Sequence, residues 1–273
     1  MKKIIVPVDF SGPSEIALKT AASIAKKFGS EIFVLHMLEM SDAYMTYSEE
    51  IHQQQALFLI RMTEKRFGEF LNKPYLKGIK VTPIVKHYKV YSEVNAIAEK
   101  HNADLIVMGS HGSDGLKEIF VGSNAEKMVR NANIPVLIIK DEILNFEVRR
   151  FVFACDFELE NLPAFHKAKT LADKLSAELI LVNINTPGDN FLSTKDAFRK
   201  INQFLHEAKA SLEVEIYNDY AVERGILAFS ESRNADIIGL PTHGRKGISR
   251  FFMGSIGEDL ANHSKIPVMT FKL

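Results

Sequence analysis

Apolar and polar positions in this chain follow two periods that take turns. Ile4-Ile5-Val6-Pro7-Val8 is a short, nearly continuous apolar run rich in β-branched residues, and it predicts a buried strand over 3–9. From Ser14 to Phe28 the spacing changes, with Ile16, Ala17, Ala21, Ile24 and Ala25 recurring on one helical face and Gly29 closing the segment. The exchange continues with a strand over 31–38 and a long amphipathic helix from about 47 to 70 that carries Leu57, Ile60, Phe67 and Phe70 on one side. A strand over 80–85 follows, whose Pro83 suits a sheet edge, then a helix over 93–101, a strand over 104–109, a helix over 123–131 and a strand over 135–140. Further strands are expected near 150–156, 178–184, 212–217, 236–240 and 267–272. Alternating strands and helices with right-handed crossovers mean an α/β fold built on doubly wound parallel sheets.

The second series repeats the first. Asp156 answers to Asp9 at an offset of 147, within Phe151-Val152-Phe153-Ala154-Cys155-Asp156-Phe157 against Ile4-Ile5-Val6-Pro7-Val8-Asp9-Phe10. Four later pairs share an offset of 132: Asn102-Ala103-Asp104 with Asn234-Ala235-Asp236, His111-Gly112 with His243-Gly244, Gly122-Ser123 with Gly254-Ser255, and Ile134-Pro135-Val136 with Ile266-Pro267-Val268. The difference, 147 minus 132, is absorbed by the longer helical stretch of the first copy. The expected organisation is one domain over 1–140, a linker over 141–148 and a second domain over 149–273.

Composition narrows the partners. With 273 residues and 46% hydrophobic side chains the chain can bury a large core, and its 34 basic and 34 acidic residues balance, so neither nucleic acid nor a membrane surface is indicated. A single cysteine, Cys155, excludes an internal disulfide, and the opening Met1-Lys2-Lys3 enters a strand without a signal-peptide core. No apolar run reaches the roughly 20 residues that a bilayer requires. A cytoplasmic location and a small-molecule partner are expected.

The candidate chemistry lies in Asp104-Leu105-Ile106-Val107-Met108-Gly109-Ser110-His111-Gly112 and, nine residues on, Gly122-Ser123-Asn124. This reads as a buried strand, a glycine-punctuated loop and a helix start, an arrangement that presents backbone N–H donors and the positive end of a helix dipole to an anion such as phosphate. In an open parallel sheet, ligands sit beyond the strand C-termini where the strand order reverses. If the first and fourth strands flank that reversal, Asp9 and Gly109 share one crevice, with Asp9 accepting from ribose hydroxyls or an adenine amine.

These residues resemble the universal stress protein (UspA) family, and the likeness covers both halves as a tandem pair. Nucleotide-binding members of that family carry Gly, two residues, Gly, nine residues, Gly and then Ser or Thr, met here by Gly109, Gly112, Gly122 and Ser123; the Pro7-Val8-Asp9-Phe10-Ser11 opening also fits. The resemblance implies a Rossmann-like, five-stranded sheet ordered 3-2-1-4-5 in each half and a regulatory role in stress response. It implies ATP or a related adenine nucleotide, optionally with Mg, and pairing of two domains through their fifth strands. Within one chain that pairing would place 135–140 beside 267–272 as a pseudo-dimer, and further homodimers and an unidentified protein partner are compatible with it.

Carried over by position, the resemblance places Pro7, Val8, Asp9 and Met37 beside the base and ribose. Met108, Gly109, His111 and Gly112 would line the loop, and Gly122, Ser123 and Asn124 would bind phosphate. Ser113 and Asp114 stand where the family favours basic residues, with Lys117 as a possible offset. In the second half Asp156, Ile184, Gly244, Gly254 and Ser255 mark a weaker site, because Pro241 replaces the first glycine and Glu158 stands where Ser11 stands in the first copy. Plainer readings coexist: the glycines can be turn formers, Asp9 and Asp156 can cap helices, and His111 and His243 can order their loops. No Walker loop, no dinucleotide fingerprint and no nucleophile elbow is present, and His87, His101 and His263 lack metal spacing. A nucleotide-binding regulatory module that is not an enzyme is therefore expected, against a non-nucleotide scaffold of the same fold or a weak ATPase.

Overall fold

A computed structural model describes residues 1–38, 49–87, 90–110, 123–143, 146–188, 191–242 and 264–273. The first half forms β1 (Lys3–Val8), α1 (Gly12–Phe28), β2 (Glu31–Leu38), α2 (Glu49–Leu71), β3 (Val81–His87), α3 (Val90–His101), β4 (Leu105–Gly109), α4 (Ser123–Asn131) and β5 (Val136–Ile139). The second forms β6 (Arg150–Ala154), α5 (Leu162–Leu175), β7 (Glu178–Asn185), α6 (Thr194–Glu207), β8 (Val214–Asn218), α7 (Val222–Ser232), β9 (Ile237–Thr242) and β10 (Val268–Lys272). All strands of one half run parallel to each other, in the order β3-β2-β1-β4-β5 and, by repetition, β8-β7-β6-β9-β10. Pro83 lies on the edge strand β3, where a missing N–H is harmless.

The two halves are not separate sheets. β5 and β10 pair antiparallel, with Leu137 opposite Met269, and merge them into one ten-stranded sheet that covers both fifth-strand edges. On one face a single apolar cluster runs from Ile4, Val6 and Leu18 of the first half to Phe153, Phe165 and Phe271 of the second. On the other face each half keeps its own cluster, under α3 and α4 in the first and under α7 in the second.

Local chemistry explains why the repeat is written as it is. Asn102 and Asn234 follow the helices α3 and α7 with φ of 49° and 47°, a left-handed turn that asparagine tolerates well. Two residues later Asp104 accepts from the N–H groups of Lys2 (2.6 Å) and Lys3 (3.1 Å), and Asp236 accepts from those of Arg149 and Arg150 (2.8 Å each). Each Asn-x-Asp thus turns the chain out of a helix and staples the start of the neighbouring strand. Burial pushes the Asp104 carboxyl up, but these two N–H donors and the nearby Lys174 outweigh it and hold the group below its ordinary value.

The segment between the halves is packed rather than slack. Phe146 and Val148 are 8% and 3% exposed and belong to the shared core, while Glu142 pairs with Lys19 at 2.9 Å and Ser23 Oγ donates to the Phe146 carbonyl at 3.4 Å.

Candidate functional site

β1 pairs with β2 on one side and β4 on the other, so the strand order reverses at the β1/β4 gap. The register places Ile5 opposite Ile106, and the same register continued brings Val8 level with Gly109 at the C-terminal edge of the sheet. Asp9 and Gly109 therefore meet at the mouth of one crevice. Gly109 has little space: a Cβ built there would lie 2.7 Å from the Pro13 carbonyl oxygen, so the first turn of α1 rests directly on it.

The turn before α1 is specified by its polar residues. Phe10 takes φ of 66°, Asp9 Oδ1 accepts from the Ser11 N–H at 3.0 Å and from the Ser11 hydroxyl, and Ser11 caps α1 by accepting from the Ser14 N–H. Asp9 accordingly orders the turn before α1 by accepting from Ser11, while the cap itself is Ser11 and not Asp9, and ligand contact is compatible with that role.

Side-chain alternation divides the residues chosen from sequence between the two faces. Val8 packs in the shared core with Val6, whereas Met37 and Met108 pack on the opposite face with Leu35 and Ile106, and Pro7 alternates to that face with Ile5. Met37 is half-buried and Met108 almost fully buried. Ser123 and Asn124 begin α4 in the backbone, while His111, Gly112 and Gly122 lie outside the described residues, as do Gly244, Gly254 and Ser255.

One group escaped sequence reasoning. His36 Nδ1 bonds the Val8 carbonyl at 2.8 Å, its ring lies 4.5 Å from that of Phe10, and Phe10 meets Phe67 and Phe70 of α2 edge-on at 5.1 and 5.4 Å with Arg66 over it at 5.2 Å. The repeat contained the signal. Asn183, 147 residues after His36, donates to the carbonyl of Cys155, 147 residues after Val8, at 3.3 Å. In both halves a polar side chain on the second strand takes up the last carbonyl of the first.

In the second half the described counterparts are engaged by their own chain. Asp156 is 4% exposed, and its Oδ1 accepts from the Glu158 N–H at 3.1 Å and from Asn161 Nδ2 at 2.5 Å. Ile184 is buried under α7, where Gly225 makes room for it: a Cβ at Gly225 would come within 2.7 Å of Ile184 Cγ2. Pro241 is buried at the end of β9, and Gly239 leaves room for the ring of Phe151, which a Cβ there would strike. Cys155 is buried, and burial pushes its thiol far above the ordinary value, so it is inert. Among the described residues no cluster of metal-binding side chains occurs, and no helix is long and apolar enough to cross a membrane.

Burial also raises the Asp156 carboxyl; the Glu158 N–H and Lys200 oppose the shift and the neighbouring Glu158 and Glu160 carboxylates add to it. An acid raised on folding destabilises the folded state above its folded pKa, and that cost fades as pH falls through this value towards the unfolded one, about 3.9. Relative to Asp156→Asn, the parent is expected to gain stability between about pH 7 and about pH 4. Urea titrations of both proteins at the two pH values measure the difference; a parent that loses ground on acidification has the wrong sign.

The family model described as the universal stress protein family matches residues 1–140 and again 147–272. Two universal stress proteins of Methanocaldococcus jannaschii are 34% identical over 149 residues and 31% identical over 153; each alignment spans 51% of this chain and, respectively, 82% and 94% of the relative. The crystal structure of a universal stress protein from Archaeoglobus fulgidus superposes with a TM-score of 0.64 at 25% identity, covering 99% of this chain and 96% of that one. A putative universal stress protein of Pseudomonas aeruginosa, at 18% identity and the same TM-score, shares the fold over 100% of this chain and 93% of its own. With two family matches in succession over two repeats of one β/α order, the chain belongs to the universal stress protein family as a tandem two-domain member.

Proposed function

We propose that the first half binds an adenine nucleotide, ATP or a close relative, at the β1/β4 crevice, and that the second half contributes architecture in place of a second equivalent site. The observation that carries this reading is the meeting of Asp9, Gly109 and the capped start of α1 where the strand order reverses. Met37 and Met108 share a face and would supply an apolar wall for the base, and Asp9 would accept from the ribose hydroxyls. Backbone N–H groups of Gly109, His111, Gly112, Gly122, Ser123 and Asn124 would take the phosphates, and Mg, when bound with the nucleotide, would offset phosphate charge. Such a protein is a binding module: occupancy biases its conformation, and a partner in the stress response reads the result.

Calorimetric titration of the full chain with ATP is expected to give close to one site per chain, and Gly122→Val, which obstructs the phosphate loop, is expected to abolish the heat. No heat at about millimolar ATP, where even a weak site of about 4 kcal/mol would register, overturns nucleotide binding. Two equal sites would overturn the silent second half. ATP turnover that disappears in Asp9→Ala would overturn the non-catalytic reading.

A further inference from the structure

The repeat relates two more places, both remote from the β1/β4 crevice. Thr170, Leu171 and Lys174 of α5 face Met1, Asp104 and Pro135 across a cavity of about 300 Å³. At the offsets of 147 and 132, the counterparts of these six residues are Ser23, Ile24 and Lys27 of α1 and Val148, Asp236 and Pro267. At that second place the connecting segment lies over the helix. Phe146 and Val148 are buried there, the Phe146 carbonyl accepts from Ser23 Oγ at 3.4 Å, and Glu142 pairs with Lys19, the counterpart of His166, at 2.9 Å. At the covered place the chain beside Val148, the counterpart of Met1, thus presents the buried Phe146 and the Glu142 carboxylate to a helix carrying lysines.

The groove on α5 has the same character and, among the described residues, no segment across it. Its lysines outnumber its one carboxylate. The Asp104 carboxylate is engaged by the N–H groups of Lys2 and Lys3, while Lys167 Nζ, also on the cavity wall, donates to the Lys272 carbonyl at 2.7 Å and sits near a second ammonium, that of Lys272. Lys174 offsets Asp104, so Lys167 is the cation in excess on this wall. An acidic partner relieves this repulsion, and an apolar side chain fills the space between Leu171, Pro135 and Met1.

We infer that the α5 groove docks an extended acidic peptide segment of a partner, with one aromatic side chain in the cavity and a carboxylate against the α5 cations, as the connecting segment does on α1. The test uses a labelled synthetic octapeptide with the sequence of residues 141–148 and the full chain, followed by fluorescence anisotropy. Saturable binding with a Kd of about 0.1 mM is expected. Thr170→Trp, which fills the cavity from an exposed helix position, and Lys174→Glu should each weaken it by about tenfold, as should a peptide with alanine in place of its phenylalanine. Circular dichroism establishes that the protein variants are folded, and the altered peptide reports on the groove without touching the protein. Absence of saturation to about millimolar peptide, or equal affinity for Thr170→Trp, overturns the inference. Inorganic phosphate that displaces the peptide at comparable concentration would reveal a simple anion site and overturns it too.

Discussion

Gly109→Ala is expected to lower the unfolding free energy by about 2–3 kcal/mol with no nucleotide present. A Cβ at this position stands 2.7 Å from the Pro13 carbonyl oxygen and 2.8 Å from its carbon, which are backbone atoms of the first turn of α1. That turn cannot swing aside cheaply. Ala17, Leu18 and Ala21 of α1 are wholly buried, and the Ser11 cap fixes where the helix starts. Urea denaturation of the nucleotide-free variant reads the cost directly. Calorimetry should then show ATP binding lost as well, because the displaced turn is the one that Asp9 holds. A variant as stable as the parent would mean that α1 does not rest on Gly109, and the crevice geometry would fall with it. The experiment separates two reasons for one glycine, since a residue kept only for phosphate approach would cost nothing in the apo protein.

Phe165→Ala should be more damaging, by about 3–5 kcal/mol, because it removes a wholly buried ring and leaves a cavity behind. Phe165 is 0% exposed and packs edge-on against Phe153 at 6.2 Å and Phe204 at 5.4 Å. Phe204 in turn meets Phe157, whose φ of 57° shapes the turn around Asp156. The cluster to which Phe165 belongs continues into the first half, so the whole chain is expected to melt in one transition shifted down by about 10 °C. Scanning calorimetry decides this. Two resolved transitions, with the first-half transition unmoved, would show that the shared core does not couple the halves.

How much of this was legible beforehand differs from residue to residue. The strand and helix series could be read because period-two and period-3.6 burial leave different marks, and the long amphipathic pattern from about 47 to 70 emerged as α2 at Glu49–Leu71. The repeated Asn-x-Asp could be located but not interpreted: its meaning is a left-handed turn followed by two N–H bonds to a strand far away in sequence. Gly109 and Gly239 look alike in the sequence. One yields to the backbone of a helix and the other to the ring of Phe151, a difference set by which element approaches each strand. His36 carries no local signal, since its bond to the Val8 carbonyl depends on the pairing of β1 with β2.

The α/β class and the duplication are written in the chain, because they follow from local periodicity and from one half matching the other; the strands that carry the crevice depend on the strand order, which the resemblance implies and the sheet shows. The joining of the halves through β5 and β10 agrees with what the family resemblance implies, whereas the core they share on the α1 and α5 face is set by tertiary packing. Only the tertiary structure decided that Asp156, the equivalent of Asp9, is turned inward onto Asn161, so that two similar motifs have dissimilar surroundings. The physical reason is that burial, charge neutralisation and close approach are properties of pairs of residues distant along the chain, and a linear pattern specifies one member of each pair at a time.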